Sequence, residues 1–389
     1  MLDWYNIPGI PMENAQISIA SCPEFPFFLK QEFLEEYWDM ASLPPEKLSP
    51  MIAYARKVQS DPSYRQFAWH IYRYLIHTPV TQEKCGEMPD TIPGIGAESG
   101  YFYLLCTMTL IPLYIARAER EGFPVQYARD AALRFGSTLC FRAQLNGEFG
   151  FRPRCMSYML HYLQAPMWRI GRFDYVLQKI PSSVPLICRK GPEVVAFCPH
   201  GAFLGKNNVL LPEEKDSCRV AHVEREGDLI RGIPIDFTTG LAGEEPLTLD
   251  LKDGWQILSA PGDWGVFFHI PGGGTMTPEL CTESFREAGK FFKEYFPDKE
   301  LHLIWRVSWI FNPAWKELLP GSNLASLIRR GYLFPAMPSR NPGLYFVFGR
   351  DEGDPDSFKA ENSLEKAVLK CYRENRLRRA GFFILPDEI

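Results

Sequence analysis

The sequence predicts an α+β fold: a helical first domain, residues 1–168, followed by a domain of mixed helices and strands, residues 169–389. Apolar residues recur at helical spacing through roughly the first 165 residues. From Gly171 onward the chain changes to short aromatic and β-branched runs separated by turn residues, which is typical of strands. A chain of 389 residues is long enough to bury two apolar cores.

The helices of the first domain are separated by breaks that contain proline or glycine. One of them includes an uncharged stretch, Tyr101–Ala116, that resembles a membrane span in composition. It is short, contains Pro112 and runs directly into Arg117, so we interpret it as a buried helix and expect no membrane span. The predicted helices are Phe33–Ala41, Pro45–Gln59, Ser63–His77, Tyr101–Gly122, Val125–Gln144 and Arg154–Leu163.

The second domain alternates strands with helices. Thr277 and Ser322 are expected to cap two of the helices, and Pro278 suits a first helical position. The predicted strands are Arg172–Ile180, Val184–Cys188, Val194–Cys198, Gly265–Ile270, Leu301–Phe311, Tyr332–Pro335 and Leu344–Phe348. The predicted helices are Pro278–Phe296, Trp315–Leu319, Ser322–Arg329 and Leu364–Arg378.

Composition argues against several classes of function. The net charge is −5 and no long basic run is present, which argues against nucleic-acid binding. The ten cysteines are irregularly spaced and form no C-x-x-C motif, so neither a disulfide scaffold nor a metal site is expected. The N-terminal residues lack the basic and apolar regions of a secretory signal, and we therefore expect a cytoplasmic protein.

The stretch Trp264–Phe296 is the most informative part of the chain. An apolar run ends at Pro271, three glycines follow, and a helix begins. A helix N-terminus presents unpaired N–H groups and the positive end of its dipole, which together can bind a phosphate. Gly272, Gly273 and Gly274 let the backbone take positive φ and approach a ligand closely. The same residues are also compatible with a simple tight connection between strand and helix.

Several short motifs lie in a characteristic order between about Tyr101 and the C-terminus. They are Gly171-Arg172-Phe173, Gly232-Ile233-Pro234-Ile235, Trp255, Gly262-Asp263, His269-Ile270-Pro271, Ser284-Phe285, Ser308-Trp309, Leu318-Leu319-Pro320 and Ser322-Asn323. In this order they resemble bacterial acyltransferase-domain proteins, which join a helical N-acyltransferase domain to a GNAT-like C-terminal domain. The resemblance implies a mixed, mostly antiparallel sheet flanked by helices.

The resemblance also implies a reaction and a site. Proteins of the GNAT superfamily transfer an acyl group from acetyl-CoA or another acyl-CoA, here to an amine on a small molecule or peptide. Their glycine turn binds the pyrophosphate of coenzyme A. The residues implied to contact the coenzyme are Ile270, Gly272, Gly273, Gly274, Thr275 and Asn323. The implied catalytic residues are His269, as a base for the attacking amine, and Ser308, as a donor to the thioester or the acceptor.

Simpler interpretations of these residues stay open. Alternation places His269 on the same face as Phe267, as for a hydrogen-bonded core histidine. Arg329 and Arg330 could steer the nucleotide or merely complement a helix dipole. Cys281 lies where a helix N-terminus would stabilise a thiolate.

Two other classes of function also stay open. One is a non-catalytic GNAT-like module that binds a nucleotide or acyl ligand. The basic or glutamine position expected before the glycines and a tyrosine within the helix after Ser322 are not evident, and their absence favours this module. The other is a carbohydrate- or peptide-binding protein with a groove lined by part of the 14% aromatic residues.

Overall fold

The computed structural model describes residues 2–77, 85–139, 147, 149–165 and 167–388. The chain divides into two compact units. The first comprises Met1–Ile170 with Ile270–Gly274, and the second comprises Gly171–His269 with Thr275–Ile389. The domains 1–168 and 169–389 stay a prediction, because compactness does not measure whether a segment folds independently.

The first unit is helical, as predicted. Its helices are Ala15–Ala20 (α1), Gln31–Met40 (α2), Leu48–Ser60 (α3), Pro62–His77 (α4), Ser99–Met108 (α5), Leu110–Glu121 (α6), Val125–Ala132 (α7) and Pro153–Gln164 (α8). Strand Met167–Ile170 (β1) follows them. Part of the predicted helix Val125–Gln144, residues 140–144, lies outside the described residues.

Aromatic side chains form much of the core of the first unit. Phe67 of α4 stacks on Phe102 of α5, with 4.6 Å between ring centroids, and on Trp4, with 5.4 Å. All three side chains are completely buried. Aromatic residues bury large apolar areas, so these contacts hold α4, α5 and the N-terminal segment together.

In the apolar segment at α5 and α6, α5 is buried and α6 is buried on one face. Among the described residues, the stretch Gly96–Glu121 is long and apolar enough to cross a membrane, but 67% of its apolar window is buried inside the protein. Residues 102–108 are completely buried, which confirms the prediction of a core helix. The predicted single helix is interrupted at Thr109, and α6 ends at Glu121, just before Gly122, whose φ is 74°.

The second unit contains the sheet. Its strands are Phe173–Lys179 (β2), Leu186–Lys190 (β3), Glu193–Phe197 (β4), Phe203–Leu204 (β5), Leu210–Leu211 (β6), Arg219–Val220 (β7), Val223–Glu226 (β8), Leu229–Gly232 (β9), Ile235–Asp236 (β10), Leu241–Ala242 (β11), Leu247–Asp250 (β12), Gln256–Ser259 (β13), Trp264–His269 (β14), Ile304–Ser308 (β15), Tyr332–Phe334 (β16) and Ala380–Ile384 (β17). Its helices are Pro278–Tyr295 (α9), Trp315–Leu318 (α10), Asn323–Ile328 (α11), Leu344–Phe348 (α12) and Ser363–Arg373 (α13).

The main sheet of this unit has the strand order β2-β14-β15-β17-β16. Strands β14 and β15 are parallel, whereas the β2–β14, β15–β17 and β16–β17 pairs are antiparallel. The predicted α+β fold with a mixed, mostly antiparallel sheet is thus confirmed. A parallel pair needs a crossover connection, which α9 provides between β14 and β15.

The two faces of the sheet pack against different structures. On one face, Phe285 of α9 contacts Phe173 at 4.9 Å and Phe268 at 5.3 Å between ring centroids. On the other face, Trp305 and Phe383 belong to a buried cluster that also includes side chains from the short strands β3, β4, β5, β6, β10 and β11. The sheet is therefore buried on both faces, as an apolar sequence such as that of β17 requires.

Three predictions in the second unit are wrong. Leu344–Phe348 is a short helix between two glycines of positive φ, and not a strand. The predicted strand Leu301–Phe311 ends at Ser308, where a 3₁₀ helix, Trp309–Phe311, begins. The predicted helix Leu364–Arg378 ends at Arg373, and strand β17 was not anticipated because its continuous apolar run carries no alternation.

A substitution of Gly381 in β17 tests this packing. A Cβ at this position would lie 2.1 Å from a ring carbon of Phe334, whose side chain is completely buried. We expect Gly381→Ala to lower the free energy of unfolding by about 1–3 kcal/mol through overpacking, as measured by urea denaturation. Gly289→Ala is the control, because its Cβ would meet Pro386 at an ordinary 3.6 Å and should stabilise α9 by about 0.5–1 kcal/mol. Equal stabilities for the two variants would contradict the prediction.

Candidate functional site

The parallel ladder between β14 and β15 is short. It joins Val266 to Ile304 and Phe267 to Trp305. Beyond these pairs, β14 continues along β2 and β15 continues along β17. The carboxyl ends of the two parallel strands therefore separate, and the carboxyl ends of parallel strands are where such sheets bind ligands.

The side chain of Arg306 bridges the separating strands. Its Nη1 donates a hydrogen bond to the backbone oxygen of Phe268, at 2.7 Å, and lies 3.1 Å from Nδ1 of His269. The guanidinium carbon is 5.1 Å from the centre of the Phe267 ring. Arg306 is not among the site residues predicted from the sequence. An isolated charge within the apolar strand LHLIWRVSWIF is the signal that could have found it, since a buried charge needs specific partners.

His269 is the last residue of β14 and is half-buried. Its ring makes an edge contact with Phe267, at 5.0 Å between centroids. This contact agrees with the predicted placement of both side chains on one face of the strand. Its backbone pairs with the buried Asp174 of β2. The position is suited to a ligand in the strand gap, and a catalytic role for His269 stays a prediction.

Ser308 ends β15 and caps the helix that follows. Its Oγ accepts a hydrogen bond from the backbone N–H of Ile310, at 3.3 Å. A hydroxyl that accepts one hydrogen bond keeps its O–H donor, so the predicted donation to a thioester is compatible with the cap. Trp309 packs against Trp315, at 6.3 Å between ring centroids, as predicted for a structural residue.

The glycine turn has the predicted backbone conformation. Gly273 and Gly274 both have φ of 71°, a left-handed value that disfavours any side chain. Among the described residues, a Cβ would meet no atom within 4 Å at Gly274 and only Ser137, at 3.7 Å, at Gly273. Gly273, Gly274 and Thr275 are exposed, while Pro271 is buried. Backbone conformation, and not lack of space, therefore requires glycine in this turn.

Helix α9 begins as predicted, a few residues after the turn. The Oγ1 of Thr277 accepts a hydrogen bond from the backbone N–H of Leu280, at 3.4 Å, and Pro278 is the first helical residue. The helix is 18 residues long, so its backbone dipoles sum over many peptide units. The N-terminus of α9 is consequently a favourable position for an anion.

Two arginines from distant parts of the sequence lie at this helix start. Nε of Arg172, just before β2, donates to the backbone oxygen of Thr275, at 2.9 Å. Nη1 of Arg330, just after α11, donates to Oγ1 of Thr282. Both side chains raise the positive potential where the helix dipole is already positive. These arginines supply positive charge near the glycine turn. The basic or glutamine residue expected just before the glycines is not evident in this sequence.

Cys281 lies in the first turn of α9 and is completely buried. Burial raises the pKa of its thiol to about 11, although Arg172 and Arg330 act in the opposite direction. The thiolate suggested by its place at a helix start is therefore not favoured near neutral pH.

Asn323 is the exposed first residue of α11. Ser322 caps this helix as predicted, because its Oγ accepts from the N–H of Ala325 at 3.1 Å. Helix α11 packs against α9 and against the 3₁₀ helix that Ser308 caps. The structure thus brings the helix of Asn323 to the end of β15, and contact with a cofactor stays a prediction.

No group of three or more His, Cys, Asp and Glu side chains within the described residues could hold a metal ion. The separated strand ends and the start of α9, beside which Arg172 and Arg330 lie, instead suit an extended ligand with an anionic end.

The burial of Cys281 leads to a labelling prediction. In the native protein at pH 8, iodoacetamide should modify the exposed Cys218 and leave Cys281 unmodified, because the buried thiol stays protonated and inaccessible. Peptide mass spectrometry reads out both sites, and labelling in denaturant provides the control for intrinsic reactivity. Equal labelling of the two cysteines in the native protein would contradict this prediction and restore Cys281 as a nucleophile.

Solved structures of acyltransferases share the fold of this chain. An acyltransferase mutant in complex with octanoyl-CoA matches with a TM-score of 0.57 and 18% identity, over 91% of this chain and 88% of that chain. An acyltransferase in complex with decanoyl-CoA and teicoplanin matches with a TM-score of 0.56 and 18% identity, over 90% and 87%. At such identities the likeness establishes the fold alone.

Sequence comparison identifies the family. No curated protein sequence matches this chain significantly. The profile of the GNAT-like C-terminal domain matches residues 167–381, which is more than half of the chain. The chain therefore belongs to the family of proteins with a GNAT-like C-terminal domain.

Proposed function

We propose that this chain is an acyl-CoA-dependent N-acyltransferase that transfers an acyl group to an amine. The observation that carries the proposal is the separation of β14 from β15 after two residue pairs, just before a glycine turn and a long helix. The similar structures hold octanoyl-CoA and decanoyl-CoA, which supports an acyl-CoA as co-substrate here. Acetyl-CoA and longer acyl-CoAs are all candidates.

The diphosphate of the coenzyme would bind near the start of α9. We place the diphosphate against the glycine turn, at Ile270 and Gly272–Thr275, where backbone N–H groups would donate to phosphate oxygens. In the first turn of α9, Pro278 has no N–H and the N–H groups of Leu280 and Cys281 already donate to Thr277, so the N–H of Glu279 would be the helical donor. Arg172 and Arg330 add positive charge at the helix start, which favours an anion with several charges. Asn323, exposed on α11, is proposed to contact the pantetheine arm.

The thioester would lie between the separating strands, beside His269 and Ser308. An extended pantetheine can take the place of a missing strand there, because the two strand ends offer backbone donors and acceptors. Holding the thioester and an amine next to each other supplies proximity, which accounts for a large part of the rate in acyl transfer. This placement explains why few side chains in the sequence stand out as catalytic.

The acceptor is proposed to be an amine on a small molecule or peptide. One similar structure contains teicoplanin together with decanoyl-CoA, and another contains CoA and 10C-teicoplanin. These neighbours support an acceptor larger than a simple metabolite.

A non-catalytic module is the second candidate. Helix α11 has the sequence NLASLI and offers no tyrosine to protonate a leaving thiolate. This observation favours ligand binding without turnover, and measurements of coenzyme binding and of turnover separate the two candidates.

Binding of the coenzyme is tested by thermal shift. Acetyl-CoA, octanoyl-CoA or decanoyl-CoA should stabilise the protein, by roughly 2.7 kcal/mol at one hundred times the dissociation constant. Gly273→Glu should weaken this effect for acyl-CoAs, because it adds a negative charge to the diphosphate site. Binding of the matching acyl-pantetheine, which lacks the diphosphate, should change little.

Gly191→Glu is the matched control. Gly191 lies in the exposed turn between β3 and β4 and also has positive φ, at 57°. The control therefore carries the same added charge and the same backbone strain at a different place. Equal loss of acyl-CoA binding in both variants, or no stabilisation by any CoA species, would contradict the coenzyme site.

Turnover is tested by following release of the free CoA thiol. With octanoyl-CoA and a panel of amines that includes amino sugars and peptides, we expect thiol release that depends on the amine, together with a new amide detected by mass spectrometry. Stabilisation by acyl-CoA without thiol release for any amine would favour the non-catalytic module.

A further inference from the structure

Two cations from distant parts of the sequence lie together in the second unit. Nζ of Lys316, on α10, donates a hydrogen bond to the backbone oxygen of Thr238. Nη2 of Arg378, two residues before β17, donates to the backbone oxygen of Thr239, at 2.6 Å. Both acceptors lie in the turn between β10 and β11. Because they belong to consecutive residues, the ammonium and the guanidinium are close to each other and their charges interact.

Neither cation forms an ion pair with an acidic side chain of the described residues. Asp236 is the carboxylate whose charge acts on Lys316. Its Oδ1 accepts a hydrogen bond from the backbone N–H of Thr238, and its Oδ2 accepts one from the hydroxyl of Thr239, both at 2.8 Å. Asp236 therefore orders the turn and leaves the two cations without a counter-ion in direct contact.

The two cations repel each other at a site that is partly removed from water. Both side chains are half-buried. Burial lowers the pKa of the Lys316 ammonium, and the positive charges of Arg329 and Arg378 lower it further, against the opposing effect of Asp236. Charges that are taken out of water are ordinarily paired, so this arrangement favours the binding of an anion.

Both head groups keep N–H donors for a ligand. A guanidinium has five such donors and an ammonium has three, and each cation uses one of them on a backbone oxygen. Nε and Nη1 of Arg378 have no hydrogen-bond partner among the described residues and are not buried, so a ligand can reach them. A carboxylate has two oxygens that match the fork of a guanidinium, and a neighbouring ammonium adds a point charge.

The cation pair lies near the end of β15, where the thioester is proposed to bind. Ser308, the last residue of β15, pairs with Ala380 of β17, two residues after Arg378. The buried Asn312 donates from Nδ2 to the backbone oxygen of Arg376, at 3.0 Å, and so joins the chain after β15 to the chain before β17. The pantetheine arm separates the thioester from the diphosphate, so we expect a charge at this strand end to meet the acceptor.

We infer that Lys316 and Arg378 bind the carboxylate of an acceptor that carries both an amine and a carboxylate, as an amino acid or the C-terminal residue of a peptide does. This inference rests on the proposed acyl transfer and deepens it by naming a class of acceptor. The carboxylate holds one end of the acceptor, and the amine at the other end attacks the thioester. The two cations take no part in the covalent steps and act on the affinity for the acceptor.

The preference for a carboxylate is tested with octanoyl-CoA as the donor. The acceptors are amino acids and dipeptides, each supplied as the free acid and as the C-terminal amide. We expect the KM of the acid to be about ten- to one-hundred-fold lower than that of the amide, the range for hydrogen bonds to charged groups. Lys316→Met and Arg378→Met should each remove this difference, and Arg378→Lys, which keeps the charge, should retain part of it. Equal KM values for every acid and its amide in the wild type would overturn the inference.

A binding measurement tests the same site without turnover. N-octanoyl amino acids resemble the expected products, and their C-terminal amides lack only the negative charge. In a thermal-shift assay we expect the acids to stabilise the wild type more than the amides do, and the difference to vanish in Lys316→Met and Arg378→Met. If no acid stabilises the protein more than its amide, the inference fails, while stabilisation by octanoyl-CoA would still support the proposed coenzyme site.

Arg225→Met is the control variant. Arg225 is exposed on β8, and its Nε donates to the backbone oxygen of Gly227, at 3.3 Å. The control therefore also removes a guanidinium and a hydrogen bond to the backbone, and it should keep the preference for the acids.

The 3′-phosphate of coenzyme A is the other anion that the two cations could meet, and octanoyl-3′-dephospho-CoA lacks it. If Lys316→Met and Arg378→Met weaken binding of octanoyl-CoA but not of the dephospho form, the pair binds the nucleotide and the inference is overturned. Equal binding of each coenzyme form to these variants and to the wild type, together with loss of the preference for acids, supports it.

Discussion

The short parallel ladder between β14 and β15 is the constraint on which the rest of the second unit depends. It consists of two residue pairs, Val266–Ile304 and Phe267–Trp305. They join two antiparallel pairs, β2–β14 and β15–β17, into one sheet. A longer ladder would close the space between the carboxyl ends of β14 and β15. Without the ladder, the two halves of the sheet would have no backbone connection at this point.

The separation is stable because each strand is held from its other side. β14 pairs with β2 along all six of its residues, and β15 pairs with β17 along all five. Phe268 packs against Phe285 of α9 on one face, while Phe267 packs against Trp305 on the other, at 4.7 Å between centroids. Arg306 then fills part of the gap with a charge whose partners are a backbone oxygen and an imidazole. A polar group in such a position must be satisfied by the protein or by a ligand.

The start of α9 shows how charge is collected from distant sequence positions. Thr275 and Thr282 accept hydrogen bonds from Arg172 and Arg330, which are 103 and 48 residues away along the chain. A local motif search finds the glycines and the helix cap but not these arginines. Their side chains reach the helix only because β2 and α11 lie next to α9 in the folded unit, so the positive region is a property of the tertiary structure.

The successes and failures of the sequence predictions have physical causes. Helices such as α4 and α9 were predicted to within one or two residues, because their apolar periodicity and caps are local signals. The composition of Leu344–Phe348 is typical of a strand, but the segment is a short helix. Gly343 and Gly349, both with positive φ, flank this helix. β17 was missed because a strand buried on both faces shows no alternation.

The sequence by itself determined the α+β class, the helical first part of the chain, the left-handed glycine turn and the capped helix that follows it. These features depend on backbone preferences and periodicity within a few residues. Only the tertiary structure decided that the ladder between β14 and β15 stops after Phe267, and that Arg306 donates to His269. Both depend on which strands become neighbours, a contact between residues far apart in the chain that no local pattern encodes.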